Sequence, residues 1–235
     1  CSSIQTSMDV VYRDVWTADP VIAAQNEDID MMYADLQTEA PTTIGCQLNW
    51  SAACRSVINY IQHIHPIWSV PRLRFDAVGA PVNDPVTGLQ IDDACITCHT
   101  AIDPADGATV ILPAGQLELT DQLSNDEPDH LHAYRELLVA DNLQAVVNGA
   151  LIDALVDSGQ VDIDGNPILV TQTIGSPASI GGASASGDFF GRFEDPANNV
   201  TFDHTDLLSS AERRLIAEWL DIGAQYYNNP VAVPQ

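Results

Sequence analysis

The sequence predicts a mainly α-helical domain with long irregular loops and one small β-hairpin. Three patterns lead to this fold class. A capped amphipathic helix is predicted near the end of the chain, at 209–227. Apolar residues recur at helical spacing in 50–65, 131–140 and 142–157. Proline and glycine punctuate the segments between these stretches, and such segments are typical of loops.

The first half of the chain divides into an extension, a helix and a loop. Residues 1–40 are acidic and weakly periodic, and we interpret them as an N-terminal extension or tether before a domain at 41–235. The spacing of apolar residues predicts a helix over 50–65. Pro66 should end this helix, because proline disfavours helical backbone at the residue before it. Repeated proline and glycine predict a loop over 71–94.

The second half begins with two predicted helices, at 131–140 and 142–157. A hairpin is expected at 160–170, around the Asp164–Gly165 dipeptide. An EF-hand calcium loop is the alternative there, but its closing glutamate is missing. The segment 173–191 is rich in glycine, serine and alanine, and an irregular loop is expected.

The last helix, at 209–227, has the strongest local signals. Ser209 and Glu212 have the spacing of a capping box, and apolar residues follow at helical spacing. Gly223 lies inside the predicted span and costs a helix about 1 kcal/mol relative to alanine. A close crossing of a second helix at this glycine would explain its presence.

The charge of the chain limits its partners. It has 33 acidic residues against 8 basic ones and a net charge of −25, and every basic residue is arginine. Such a surface repels nucleic acid and anionic lipid headgroups, so no nucleic-acid partner is expected. Partner proteins that dock through charge should be cationic. The sequence has no apolar stretch of about 18 residues, the minimum for a spanning helix.

The five cysteines of the sequence fall into three groups. Cys1 resembles the lipid-bearing first residue of a bacterial lipoprotein, and membrane contact is expected only through that lipid. Cys46 and Cys54 lie close together and predict a local disulfide, which is typical of exported proteins. Cys95 and Cys98 belong to one motif. These features together predict an exported protein, periplasmic or at the cell surface and lipid-anchored.

The sequence Cys95-Ile96-Thr97-Cys98-His99 is the signature of covalent haem attachment. Two thiols at this spacing reach the two vinyl groups of one porphyrin, and the histidine that follows bonds the iron. A zinc site would need a second ligand pair at similar spacing. A thioredoxin-like site would need a βαβ context. The motif therefore predicts one covalently bound haem c, with His99 as an axial ligand.

The second axial ligand is predicted to be His204. Methionine occurs only in the extension, at positions 8, 31 and 32, which disfavours methionine ligation. His204 stands just before the capped C-terminal helix, where class I cytochromes c place the second ligand. His63 is the runner-up and His65 comes next, both at the end of the first predicted helix. The two remaining histidines, His130 and His132, are expected to be solvated.

Four strings carry a resemblance to a known family: NYIQHIHPIW at 59–68, CITCH at 95–99, PAGQLELT at 113–120 and AERRLIAEWLDIGAQYY at 211–227. They resemble the cytochrome c domains related to the hydrazine synthase alpha subunit, over roughly residues 44–229. The resemblance implies a cytochrome c-like helical fold with a histidine on each side of the haem, and His99 and His204 occupy the matching places. The second haem and the further domains of that enzyme are missing, so its chemistry is not implied.

These features predict an electron carrier rather than an enzyme, with redox proteins as partners. A haem with two histidine ligands has no open position for a substrate. Two alternatives stay open. In the first alternative, the chain is a subunit of a larger cytochrome assembly or filament. In the second, the distal haem site is open and binds a small molecule. Three phenylalanines are candidates for the haem wall: Phe189, Phe190 and Phe193.

Overall fold

The computed structural model describes residues 33–49, 51–199 and 201–228. Cys1, and with it the predicted lipidation site, lies outside these ranges, as does most of the predicted extension. Within the described ranges, no helix has the length and apolar character needed to cross a membrane.

The described residues contain five α-helices, one π-helical turn, several 3₁₀ turns and six short strands. The α-helices are α1 Ile44–Leu48, α2 Cys95–Cys98, α3 His132–Leu138, α4 Gly187–Gly191 and α5 Ser210–Asp221. The π-helical turn Tyr60–Ile64 runs directly into the 3₁₀ turn His65–Ser69, and the other 3₁₀ turns are Tyr33–Asp35, Ala114–Gln116, Ala183–Ser186 and Pro196–Asn198. The strands are β1 Asp141–Asn142, β2 Gln144–Val147, β3 Ala150–Asp153, β4 Leu155–Val161, β5 Pro167–Thr171 and β6 Thr173–Ile174.

The prediction of a mainly α-helical, cytochrome c-like fold is wrong. Helix makes up only 28% and strand 18% of the structure, and the strands form small antiparallel sheets. The largest error lies at 142–157, where a predicted helix is replaced by strands. Asn148 and Gly149 there have φ values of 54° and 78°, the left-handed backbone of a tight hairpin turn. This turn reverses the chain and pairs β2 with β3.

The helix predicted over 50–65 is also mostly absent. Helical backbone begins only at Tyr60, and Pro66 lies inside the following 3₁₀ turn rather than ending the structure. Before Tyr60, the amide of Val57 donates to the carbonyl of Pro41 at 2.9 Å. This contact holds Val57 against an earlier segment of chain, so its amide is not available to a local helix.

The C-terminal helix is confirmed, with a shorter span than predicted. Ser209 caps α5, and the side chain of Glu212 accepts in return from the Ser209 amide, which completes the capping box. The helix ends at Asp221. Gly223 follows with φ of 94°, and no atom lies within 4 Å of the position that a Cβ would take. The glycine therefore terminates the helix in left-handed backbone, and the predicted helix crossing is wrong.

Residues 141–174 form a unit that we call the double-hairpin arm. Its stem is the pairing of β1 with β6, in which Asp141 lies opposite Ile174. Two hairpins extend from this stem, one made by β2 and β3 and the other by β4 and β5. The second hairpin turns around Asp164–Gly165, which confirms the hairpin predicted there. The arm lies between α3 and α4 in the chain.

The core packs α5 against the π-helical turn and α3. Its largest fully buried side chains include Trp68, Trp219, Tyr60, Leu215 and Leu137. Tyr33 and Leu36, from the end of the predicted extension, also pack against this core. The predicted disulfide between Cys46 and Cys54 is present in the structure.

An ion pair ties the start of α5 to the chain that leads towards the CITCH motif. The guanidinium of Arg72 donates to the carboxylate of Glu212 at 3.1 and 3.3 Å, and both side chains are nearly buried. Arg72 also donates to the carbonyl of Ile67 at 3.2 Å. Glu212 thus serves the helix cap and the ion pair together, and the two segments are held in one relative position.

Candidate functional site

A cavity of about 250 Å³ lies beside the CITCH motif. Its walls are mostly apolar, and side chains from α2, α3, α4 and the segment before α5 contribute to them. The large apolar side chains that border it include Trp68, Leu119, Leu137, Phe189, Phe193 and Leu207. A cleft lined mostly by apolar side chains, with a small number of polar groups, is the usual form of a small-molecule or cofactor site.

Both thiols of the motif border this cavity. Cys95 and Cys98 form the single turn of α2, and this spacing places them on one face of the turn. Neither is in a disulfide. Burial raises the pKa of both thiols, so they are protonated at neutral pH. Redox-active CxxC pairs have a lowered pKa instead, and the thioredoxin-like alternative is therefore disfavoured.

His99 borders the cavity with one ring nitrogen already engaged. Its Nδ1 lies 3.0 Å from the carbonyl oxygen of Leu117, so Nδ1 carries the proton and donates it. The lone pair is then on Nε2, which is the usual arrangement of a metal-bound histidine. Burial lowers the pKa of His99, which keeps the ring neutral and able to bind a metal. The Leu117 carbonyl is set by the Ala114–Gln116 turn, in which Gly115 and Gln116 have positive φ.

His204 borders the same cavity from the segment between α4 and α5. Its ring, like that of His99, is held through Nδ1. Its Nδ1 lies 2.9 Å from Oδ1 of Asn199. Burial is the main cause that lowers the pKa of His204, and the charge of Arg192 adds to it. This ring is therefore also neutral, with Nε2 available to a metal.

The centroids of the two imidazole rings lie at a spacing that fits one metal ion between them. Their centroids are 6.2 Å apart and their planes differ by 41°. A ligand nitrogen lies about 2.0 Å from a transition metal and about 1.1 Å from its own ring centre, so two imidazoles on opposite sides of one ion have centres about 6.2 Å apart. The residues present fit a haem with two histidine ligands.

The runner-up ligands lie elsewhere. His63 is buried, and its Nδ1 accepts from the amide of Asn59 at 3.3 Å. His65 packs against the ring of Tyr60, with centroids 5.6 Å apart. Neither borders the cavity. His130 packs on Tyr226, and His132 makes an ion pair with a neighbouring glutamate, so these two are not simply solvated.

Two of the three candidate phenylalanines, Phe189 and Phe193, border the cavity, and Phe190 does not. Three other groups at the site lie outside the sequence predictions. Asn199 orients His204, Trp68 forms part of the wall, and Arg192 lies at the border. A rare signal did exist for Arg192, because a cation is unusual in a chain with 33 acidic residues.

A structural zinc site is not supported. Within the described ranges, no group of three or more histidine, cysteine, aspartate or glutamate side chains could hold a metal ion. The remaining cysteine pair of these ranges, Cys46 and Cys54, is joined in the disulfide. A porphyrin does not need such a group, because it supplies the equatorial nitrogens itself and takes only axial ligands from the protein.

Comparison with known proteins adds no identification: no protein-family model, no curated protein and no solved structure matches this chain.

Proposed function

We propose that this cavity holds one haem c and that the protein is an electron carrier. Cys95 and Cys98 would form the thioether bonds, and His99 and His204 would be the axial ligands. The observation that carries the proposal is the pair of imidazoles whose ring centroids lie 6.2 Å apart, each ring being held through Nδ1. Both thiols of a haem-attachment motif border the same cavity.

When bound, the haem supplies an iron that exchanges one electron between its ferric and ferrous forms. The residues of the chain hold it and set its environment. Leu117 and Asn199 fix the two ligand rings. The protein therefore needs little rearrangement when the haem gains or loses an electron. The apolar walls exclude water from the site. Two histidine ligands and a chain of net charge −25 both favour the oxidised form, which gives a low reduction potential.

The proposal includes a setting outside the cytoplasm. The disulfide between Cys46 and Cys54 is typical of an oxidising compartment, and so is attachment of haem to cysteine. We therefore propose an exported protein, periplasmic or at the cell surface. Its partners would be redox proteins with a cationic docking face, since the acidic surface repels anionic ones.

The test is a spectroscopic comparison of variants of the holoprotein made in a host that matures c-type cytochromes. The wild type should retain haem on a denaturing gel, show low-spin iron and fail to bind carbon monoxide. His204→Ala should keep the covalent haem but become high-spin and bind carbon monoxide, because one axial position is opened. His63→Ala is the matched control and should leave the spectrum unchanged.

Three results would contradict the proposal. Haem that acid acetone extracts from the wild type would refute covalent attachment. A high-spin His63→Ala or His65→Ala protein beside a low-spin His204→Ala protein would refute the assignment of the ligand. Tight binding of carbon monoxide by the wild type would show an open distal position, and the function would then be binding of a small molecule.

A further inference from the structure

The double-hairpin arm has many exposed apolar side chains. The second hairpin has apolar side chains on both faces, because Ile168, Leu169 and Val170 follow one another in β5 and alternate residues of a strand point to opposite faces. Leu169 is 53% exposed, and Ile163 at the turn is fully exposed. Contiguous exposed apolar surface of this kind marks a site of interaction.

The backbone of the arm is also incompletely paired. Among the described residues, each sheet of the arm has two strands only, so each strand has one edge that bonds to no other strand. An isolated two-stranded hairpin is marginally stable in water. A free edge readily accepts a further strand from another chain. The arm therefore has both the apolar surface and the hydrogen-bonding groups that strand addition uses.

The charge of the arm restricts what can bind there. Between residues 141 and 174 every ionisable side chain is an aspartate: Asp141, Asp153, Asp157, Asp162 and Asp164. A second copy of this chain carries the same aspartates and a net charge of −25, so two arms repel each other. A complementary strand has apolar side chains that cover the hairpin and cationic side chains that meet the aspartates.

The stem of the arm is attached to the wall of the cavity. The amide of Gln144 donates to Oε1 of Gln116 at 2.6 Å, and Gln116 follows Gly115, which borders the cavity. Leu137 precedes the arm in the chain, Pro177 follows it, and both border the cavity as well. A protein bound along the arm is thereby brought to the side of the molecule where the cavity lies.

We propose that the double-hairpin arm docks a partner protein by strand addition, and that the added strand alternates apolar and cationic side chains. Binding through the arm does not depend on the haem. Electron exchange between that partner and the cavity rests on the proposed function. The two are separable, because docking is measured by binding and amide exchange, whereas the haem assignment is measured by spectroscopy.

The test uses the intact holoprotein and a synthetic peptide of alternating arginine and valine as the probe. Hydrogen exchange should slow at least tenfold at the outer-edge amides of β4 or β5 when the peptide is present. A peptide of the same charge, with proline in place of every second valine, should give no protection, because it lacks the amide hydrogens that strand addition needs. A peptide of alternating glutamate and valine should not bind.

Matched variants of the protein distinguish binding of the peptide at the arm from general electrostatic attraction to the acidic surface. The double variant Ile168→Thr/Val170→Thr keeps β-branched side chains and the net charge, and should weaken binding of the arginine peptide about tenfold. Val86→Thr, at an exposed valine in the 71–94 loop, should bind as the wild type does. Equal protection by the proline peptide, or equal binding by the double variant, would overturn the proposal. So would a wild-type dimer that the double variant converts to a monomer, because the occupant would then be a second copy.

Discussion

At the scale of single residues, the candidate site depends on what holds each imidazole. His99 is oriented by a main-chain carbonyl, that of Leu117, and His204 by the side chain of Asn199. Both contacts leave Nε2 for the metal. Partners of this kind change metal affinity or activity by about 10- to 100-fold when they are removed.

Asn199→Ala should loosen the second ligand without removing it. The His204 ring loses its acceptor, so the holoprotein should show broadened low-spin signals and a fraction of high-spin iron in electron paramagnetic resonance. Asn198→Ala is the matched control, because the side-chain amide of Asn198 donates to the carbonyl of Gly191 at 3.0 Å rather than to His204. Identical spectra for both variants would show that Asn199 does not orient the ligand.

Arg192 should raise the reduction potential of the haem. Its side chain borders the cavity, and among the described residues it has no ion-pair partner. A nearby cation disfavours the added positive charge of oxidised iron, so Arg192→Gln should lower the potential, by tens of millivolts at most because the side chain is exposed and screened. Arg135→Gln, away from the cavity, should change it less. A higher potential in Arg192→Gln would contradict this role.

At the scale of secondary-structure elements, capping and turn signals predict structure correctly, whereas apolar spacing at 50–65 and 142–157 does not. The capping box of Ser209 and Glu212 fixed the start of α5, and the Asp164–Gly165 turn fixed a hairpin. The Asn148–Gly149 dipeptide is the same kind of turn signal inside 142–157; the apolar spacing there favours a helix, but the structure forms the turn and pairs β2 with β3. Motif and position mark Cys95, Cys98, His99 and His204, and the structure places all four at the same cavity. Asn199 and Trp68 reach the site only through tertiary folding, and no local pattern marks them.

The ion pair within α3 should give the protein a measurable pH dependence. His132 and Glu136 lie 2.8 Å apart, and this contact raises the pKa of His132. The pair stabilises the fold fully below about pH 6.5, the unfolded pKa of histidine, and that contribution is lost as the pH rises through the higher folded pKa.

The unfolding free energy of the wild type should therefore fall, as the pH rises above about 6.5, by more than that of His132→Gln. Glu136→Gln should flatten the curve in the same way, because it removes the other partner. Chemical denaturation at several pH values measures the difference. Parallel curves for the wild type and both variants would show that the pair adds nothing to stability.

At the scale of the whole molecule, self-repulsion opposes folding. The chain has a net charge of −25, and the described ion pairs engage only a few of its carboxylates. Screening shortens the range of this repulsion from about 30 Å at 0.01 M salt to about 3 Å at 1 M. The protein is thus expected to be more stable in a salty medium than in a dilute one.

The melting temperature should rise by several degrees when sodium chloride is increased from about 0.01 M to about 0.5 M. Potassium chloride should give the same rise, because screening depends on ionic strength and not on the identity of the cation. Calorimetry or circular dichroism measures the change. A melting temperature that is constant or falls over this range would show that repulsion between carboxylates does not limit stability.

The stem of the double-hairpin arm has a consequence for how such a chain can change over generations. Since Asp141 lies opposite Ile174, the chain leaves the body of the protein and re-enters it at neighbouring positions. A segment with adjacent ends can be inserted, exchanged or deleted in the gene without displacing the elements on either side. The arm can therefore diversify as a cassette, while the cavity beside it retains its architecture.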